Sequence, residues 1–365
     1  MTFYPKYTIT TLVAKALASI EVSRQSVIDL PITATVIASL RETARITSTH
    51  RSTAIEGNRL SMAEVREVIE GGGNFPNRAK DEAEVRQYYN ALNQVDIIAQ
   101  SGQSIEEEDI KLLHGISFIG KNTPTAYRDG QNVIRAGKLV VYIPPKSKDV
   151  PTLMTDLVVW INQMVLDGLP IPFISGLAHY QFATIHPYYD GNGRTARLLA
   201  TLILHKYGYG LKGIYSLEEY YAKNLNAYYD ALAVGTDEDY YDGNRAQGEL
   251  TKFLEYFVCG MAESFENVKN QAKKSQIRGD IDHSYALRDL NREQKQILKL
   301  FVTSKEISAK DIAEFFQFSD KQSRNLCQKW VASGFLEISN PAPKTRKYRL
   351  CEKYESLVLR QALSV

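Results

Sequence analysis

Between His186 and Arg197 the chain reads His-Pro-Tyr-Tyr-Asp-Gly-Asn-Gly-Arg-Thr-Ala-Arg, a run that tightly limits how the backbone can go. The stretch LAHYQFATIH reads as a helix. Pro187 disfavours helix at the residue before it, so that helix ends at His186. Gly191 and Gly193 open backbone conformations closed to other residues and let a ligand approach closely. RTARLLATLILHKYG then forms a second helix, with Leu198, Leu199, Leu202 and Ile203 turned inward. The chain must therefore build two helices joined by a short glycine-rich turn that feeds a helix N-terminus.

Such a terminus binds anions, because its first N–H groups lack intrahelical acceptors and the helix dipole favours negative charge. Arg194 and Arg197 lie one turn apart, which places both on one face. Two guanidinium forks and a glycine nest make a polyphosphate cradle. Asp190 offers a hard oxygen suited to Mg²⁺ held against phosphate. His186, with an ordinary pKa of about 6.5, can accept a proton at neutral pH. One assembly uses all these parts: a nucleotide with Mg²⁺, attacked by a hydroxyl that His186 deprotonates. A P-loop is excluded because G-x-x-x-x-G-K-[ST] is absent, and a dinucleotide fingerprint because no strand precedes the glycines.

These residues resemble the Fic family, whose signature runs H-x-F-x-D/E-G-N-G-R-x-x-R. His186, Asp190, Gly191, Asn192, Gly193, Arg194 and Arg197 stand at signature positions, and Tyr188 replaces the usual Phe. The resemblance implies a protein adenylyltransferase that transfers AMP from ATP to a Ser, Thr or Tyr hydroxyl of a target protein, itself included. It implies His186 as general base, Asp190 as Mg²⁺ ligand, and Gly191 to Gly193 as anion nest. Arg194 would hold the β- and γ-phosphates and Arg197 the γ-phosphate, with Thr195 and Ala196 also lining the ATP site.

Three further stretches fit the same family. Ser52-Thr53-Ala54-Ile55-Glu56-Gly57-Asn58 resembles its inhibitory motif, S/T-x-x-x-E-G/N, with Glu56 in the last turn of a helix and Gly57 stopping it. A carboxylate there that reached Arg197 would take the place of the γ-phosphate. Residues 132–145 read as a β-hairpin, because β-branched residues flank Ala136-Gly137 and Pro144-Pro145 ends the run. In the family a flap of this kind pairs with the target by β-augmentation, which points to Val140, Val141 and Tyr142. EYYAKNLNAYYDAL (219–232) resembles the segment that closes over adenine, with Asn224 and Tyr229 as its contacts. The remaining histidines, at 50, 114, 179, 205 and 283, show no metal-ligand spacing and read as structural.

Elsewhere helical patterns dominate. Ser61 and Glu64 form a capping box, and Gly71-Gly72-Gly73 stops the helix they start. IEEEDIKLLHGISF carries acidic residues in its first turn, where the dipole favours them. A net charge of +2 names no partner. Three cysteines, at 259, 327 and 351, form neither a disulfide framework nor a zinc site and fit a reducing compartment. The start lacks the pattern of a signal peptide, and LLATLIL (198–204) is too short to span a bilayer. A cytoplasmic protein is expected.

From Asn291 to Leu350 there are 12 Lys and Arg against 6 Asp and Glu. Three amphipathic helices, then GFLEIS and KYRLC around a basic loop, read as a winged helix-turn-helix with a two-stranded wing. Arg324, Lys329, Lys344, Arg346, Lys347 and Arg349 suit phosphate contacts, so DNA is a candidate partner. The expected fold is mainly α: a Fic-type helical bundle with a small β-hairpin flap and a C-terminal winged helix. The expected divisions are 1–100, an N-terminal helical region; 101–245, the catalytic core; 246–284, a helical linker; and 285–365, the winged helix. A polar linker is expected over 270–290, and family precedent points to a homodimer. Two other functions suit the same sequence: a nucleotide-sensing DNA-binding transcription regulator, and an enzyme of the same fold that removes AMP.

Overall fold

In the computed structural model, residues 3–29, 34–234, 240, 245–278, 290–342, 346–351 and 354 are described. The chain divides into two compact units, Met1–Leu30 with Thr43–Lys273, and Pro31–Glu42 with Lys274–Val365.

The first unit is built from α1 (Thr11–Asp29), the C-terminal part of α2 (Ala34–Ile55), α3 (Met62–Ile69), α4 (Ala79–Ala99) and α5 (Glu107–His114). A hairpin of β1 (Ile134–Ala136) and β2 (Leu139–Tyr142) follows. Then come α6 (Val150–Leu166), α7 (Ile171–Ile185), α8 (Asn192–Lys206), α9 (Leu217–Lys223), α10 (Leu225–Leu232) and α11 (Thr251–Arg278). The core centres on α7 and α8. From Pro172 to Phe182 every residue of α7 is buried, the mark of a helix enclosed on all sides. Gly176 allows this enclosure: a Cβ there would lie 2.8 Å from the ring of Phe257 in α11. In α8, Leu198, Leu199, Leu202 and Ile203 are fully buried, as their spacing predicts.

Local signals account for most boundaries. Ser61 Oγ accepts the Glu64 N–H and Glu64 returns the contact to the Ser61 N–H at 2.7 Å, closing the capping box of α3. The hairpin is antiparallel and turns through Gly137 at φ +64°. Some boundaries differ from the sequence reading. The helix through IEEEDIKLLHGISF widens to a π-turn over Gly115–Ile119, and Gly115 is required because a Cβ there would collide with the Thr123 carbonyl. Residues 270–278, read as the start of a linker, continue α11, while 279–289 lie outside the described residues.

The second unit holds α12 (Arg292–Thr303), β3 (Ile307–Ser308), α13 (Ala309–Phe316), α14 (Asp320–Ala332), β4 (Leu336–Asn340) and β5 (Lys347–Leu350). Asn291, Ser308 and Ser319 each close a capping box at the start of a helix. Ile297, Phe301, Ile312, Trp330, Phe335 and Tyr348 form its core. This is the winged-helix pattern, with one correction. Ile307 and Ser308 pair with Tyr348 and Lys347, so the sheet has three strands in the order β3-β5-β4 rather than two. Arg349 lies 3.1 Å from Glu337 and Lys347 3.6 Å from Glu306, while Lys344 lies outside the described residues.

Among the described residues no helix is long and apolar enough to cross a membrane. Leu202→Ala leaves a cavity in the α8 core and lowers unfolding free energy by about 2–5 kcal/mol, read as a fall in the urea midpoint.

Candidate active site

α7 ends on His186, whose N–H donates to the Phe182 carbonyl at 3.0 Å while its backbone turns left-handed at φ +51°, ψ +59°. Helical geometry is disfavoured before Pro187, and this single residue redirects the chain. Nδ1 of the imidazole lies 3.2 Å from the Ala183 carbonyl. A carbonyl only accepts, so Nδ1 carries the proton and Nε2 keeps its lone pair. Burial holds the ring pKa down to about 4, helped by the charge of Arg128 and opposed by the Ala183 contact, Glu56 and Asp190. His186 is therefore neutral at pH 7, with its basic nitrogen available.

The turn after it is braced from within. Asn192 accepts the Tyr188 N–H at 3.0 Å and donates to the Tyr188 carbonyl at 2.8 Å. Asp190 Oδ1 accepts the Gly191 N–H at 2.6 Å, and Gly191 takes φ +78°. The Tyr188 ring, 2% exposed, stacks on His114 at 3.6 Å between centroids. Nε2 of His114 reaches the Asp190 carbonyl at 3.0 Å. The extra hydroxyl of Tyr188 thus leaves its ring in the packed position beneath the loop.

α8 begins at Asn192, two residues earlier than the sequence reading, so Asn192, Gly193 and Arg194 supply the N-terminal amides. Gly193 is helical, and what matters is its missing side chain: a Cβ would overlap Glu56 Oε1. Glu56 stands just past the end of α2, rather than in its last turn, and Gly57 takes φ +94° behind it. Its Oε1 lies 2.8 Å from Nη2 of Arg197. Arg197 also donates through Nε to Ser52 Oγ at 2.8 Å and through Nη2 to the Ser52 carbonyl at 3.1 Å. Burial works against the Arg197 charge, but Glu56 leads the groups that more than offset it. A carboxylate therefore sits where a helix N-terminus and a guanidinium both favour an anion.

Arg194 and Arg197 are both buried, yet they take different partners. Arg194 reaches back to the Ser117 carbonyl at 3.4 Å and lies over the Phe118 ring. Asp190 is exposed at the mouth of the turn. Among the described residues no cluster of three or more metal-ligating side chains occurs. A lone carboxylate fits Mg²⁺ shared with phosphate oxygens, and does not fit an all-protein cage.

Several expected contacts fall elsewhere. Asn192, Thr195 and Ala196 are buried, the side chains of the first two hold backbone of the turn, and the Thr195 N–H is itself bonded to the Gly191 carbonyl at 3.0 Å, so Thr195 and Ala196 present no free group to a ligand. Asn224 splits the 219–232 segment into α9 and α10 and caps α10 through the Ala227 N–H at 3.1 Å. Tyr229 is half-exposed, and after burial the charge of Glu56 is the next cause raising its pKa. In the hairpin, Val141 is 37% exposed, whereas Tyr142 turns inward and donates to the Thr184 carbonyl at 2.8 Å. His114 and Arg128 are the residues that sequence reasoning missed here. Their contacts cross 76 and 58 positions, and no local pattern marks them.

The family model that matches this chain is that of the Fic/DOC family, over residues 104–204, which include His186 and most of α8. Over that segment this chain is similar to the Fic/DOC family. Protein adenylyltransferase fic-1 of Caenorhabditis elegans is 30% identical over 179 residues, covering 47% of this chain and 34% of the relative. The fic-1 protein of Caenorhabditis briggsae is 29% identical over 181 residues, with the same coverage, 47% and 34%. The chain thus spans about a third of the length of these relatives, 34%. A Fic family protein from Desulfovibrio desulfuricans shares the fold, with a TM-score of 0.59 at 23% identity over 96% of this chain and 99% of that one. Fic-1 of C. elegans shares it too, with a TM-score of 0.59 at 24% identity over 73% and 74%.

Two buried histidines besides His186 set an acid limit. Burial lowers His114 to about 4 and His179 to about 3. Unfolding lets each take up a proton below about 6.5, so stability falls with pH by about 1.4 kcal/mol per unit per ring down to those values. Urea titrations at pH 7 and 5 should show the loss, and His179→Gln should flatten it.

Proposed function

We propose that this chain is a protein adenylyltransferase, moving AMP from ATP to a Ser, Thr or Tyr hydroxyl of a protein, and that Glu56 holds it in a state of low activity. The observation that carries the reading is the carboxylate of Glu56 bound to Arg197 against Gly193, within an anion site headed by a neutral His186.

The roles follow from the atoms presented. Nε2 of His186 takes the proton of the acceptor hydroxyl as its oxygen bonds the α-phosphorus. The bond from that phosphorus to the β-phosphate oxygen breaks, and pyrophosphate leaves. The amides of Asn192, Gly193 and Arg194 stabilise charge that builds on the phosphate oxygens. Arg194 holds the β- and γ-phosphates, and Arg197 takes the γ-phosphate once Glu56 withdraws. Asp190 would hold Mg²⁺ against the phosphates, and the chemistry the ion would supply there is neutralisation of charge on phosphate oxygens. Tyr229 borders the adenine, and Val140 and Val141 offer backbone on β2 to an extended target segment.

The proposal extends to a cytoplasmic homodimer. It also extends to DNA as a partner of the second unit, through the exposed Lys321, Arg324 and Lys329 of α14. Full-length protein should then shift duplex DNA in a gel at low salt and release it as salt rises.

Incubation with labelled ATP and Mg²⁺ tests the chemistry. Glu56→Gly should raise transfer onto the protein itself by about tenfold or more, equivalent to about 1.4 kcal/mol of relieved competition. His186→Ala in that background should abolish it, and mass spectrometry should find one AMP per modified side chain. No gain from Glu56→Gly would remove the inhibitory role of Glu56.

A further inference from the structure

Arg128 is 3% exposed and belongs to no motif. Its backbone N–H donates to the Pro187 carbonyl at 2.9 Å. Its guanidinium donates through Nε to the His186 carbonyl at 2.9 Å, through Nη1 to the Gly130 carbonyl at 3.0 Å, and through Nη2 to the Pro145 carbonyl. Gly130 lies before the β1–β2 hairpin and Pro145 after it. One rigid fork therefore ties both roots of the hairpin to the turn that carries the imidazole.

The clamp acts where restraint is needed. His186 is a non-glycine residue in the left-handed region, a conformation that costs on the order of 1–3 kcal/mol and persists only where surroundings enforce it. The α7 side holds its N–H through Phe182. On the other side, its carbonyl and the next one are both held by Arg128. The direction of the imidazole follows from those two peptide planes. A lysine has the charge but a single nitrogen, so it cannot span three carbonyls.

We propose that Arg128 is a positioning residue: it fixes the peptide planes around His186, aims Nε2 at the acceptor hydroxyl, and couples that aim to the base of the hairpin. The inference rests on the reading of His186 as general base. The charged groups acting on the ring are Arg128 from one side, Glu56 from the end of α2, and Asp190 from the turn, with the Ala183 carbonyl on its own helix.

The test uses the full chain carrying Glu56→Gly, with Arg128→Lys and Arg128→Gln added separately. In both, kcat for AMP transfer should fall about a hundredfold while KM for ATP stays within about twofold, since the loss is of aim and not of nucleotide binding. Histidine ring NMR, assigned with His186→Ala, should show the His186 titration midpoint rising in Arg128→Gln, where the neighbouring positive charge is gone, and rising less in Arg128→Lys. Retention of kcat within about twofold overturns the proposal, as does a matched loss in kcat and ATP binding. If Glu56→Gly alone transfers no AMP, the adenylyltransferase reading fails, and NMR then decides on the clamp alone. Unchanged His186 signals in both variants would refute it. Failure of even Arg128→Lys to fold would make Arg128 a residue of the fold and refute the positioning role.

Discussion

Pro187 follows directly on the end of the most enclosed helix of the first unit, and the geometry of the site descends from that junction. α7 is fixed by burial along most of its length, so its last residue has little freedom of position. The proline denies that residue a helical backbone, and the chain turns left-handed at His186. Gly191 turns it left-handed again and starts α8, whose own face is buried against the same core. A rigid helix thus delivers the imidazole, and a second rigid helix delivers the amides and both arginines. Sites carried on buried helices hold their geometry better than sites carried on loops.

Electrostatics then decides what fills the space between them. The start of α8 and the guanidinium of Arg197 together make a place for negative charge. Glu56 fills it from within the same chain, with no residue between its carboxylate and Gly193. Ser52 holds Arg197 from the same end of α2, so the guanidinium keeps two acceptors on that helix besides the carboxylate. The glycine at 193 is best understood as an absence of obstruction, since its backbone is ordinary helix. Any side chain there would push the carboxylate aside.

Much of this was legible from the residues alone. Helix ends marked by proline, glycine and capping boxes fell where those signals lie, because each acts within a turn of its own position. The approach of Glu56 to Arg197 was foreseen from a resemblance between motifs, and periodicity alone could not have supplied it. What escaped had no local cause. His114 meets Tyr188 through ring stacking, and Arg128 meets His186 across 58 positions, so only the packed fold joins them. The family resemblance implied Thr195 and Ala196 as ligand contacts. Helix geometry turns them inward, since neighbouring positions on a helix cannot all share one face. The third strand of the second unit was missed because two residues, Ile307 and Ser308, are too few to show alternation.

Tyr142 gives the hairpin an uneven stiffness. At that end of β2 a buried ring is bonded to the end of α7 and covered by the guanidinium of Arg245, whereas at the other end Leu139 is 65% exposed beside the Gly137 turn. A strand that pairs with this edge would meet an ordered ladder first near Tyr142 and immobilise the tip afterwards. Docking would then proceed like a zipper closed from its fixed end, so the entropic cost of ordering falls mainly on the last rungs, farthest from His186.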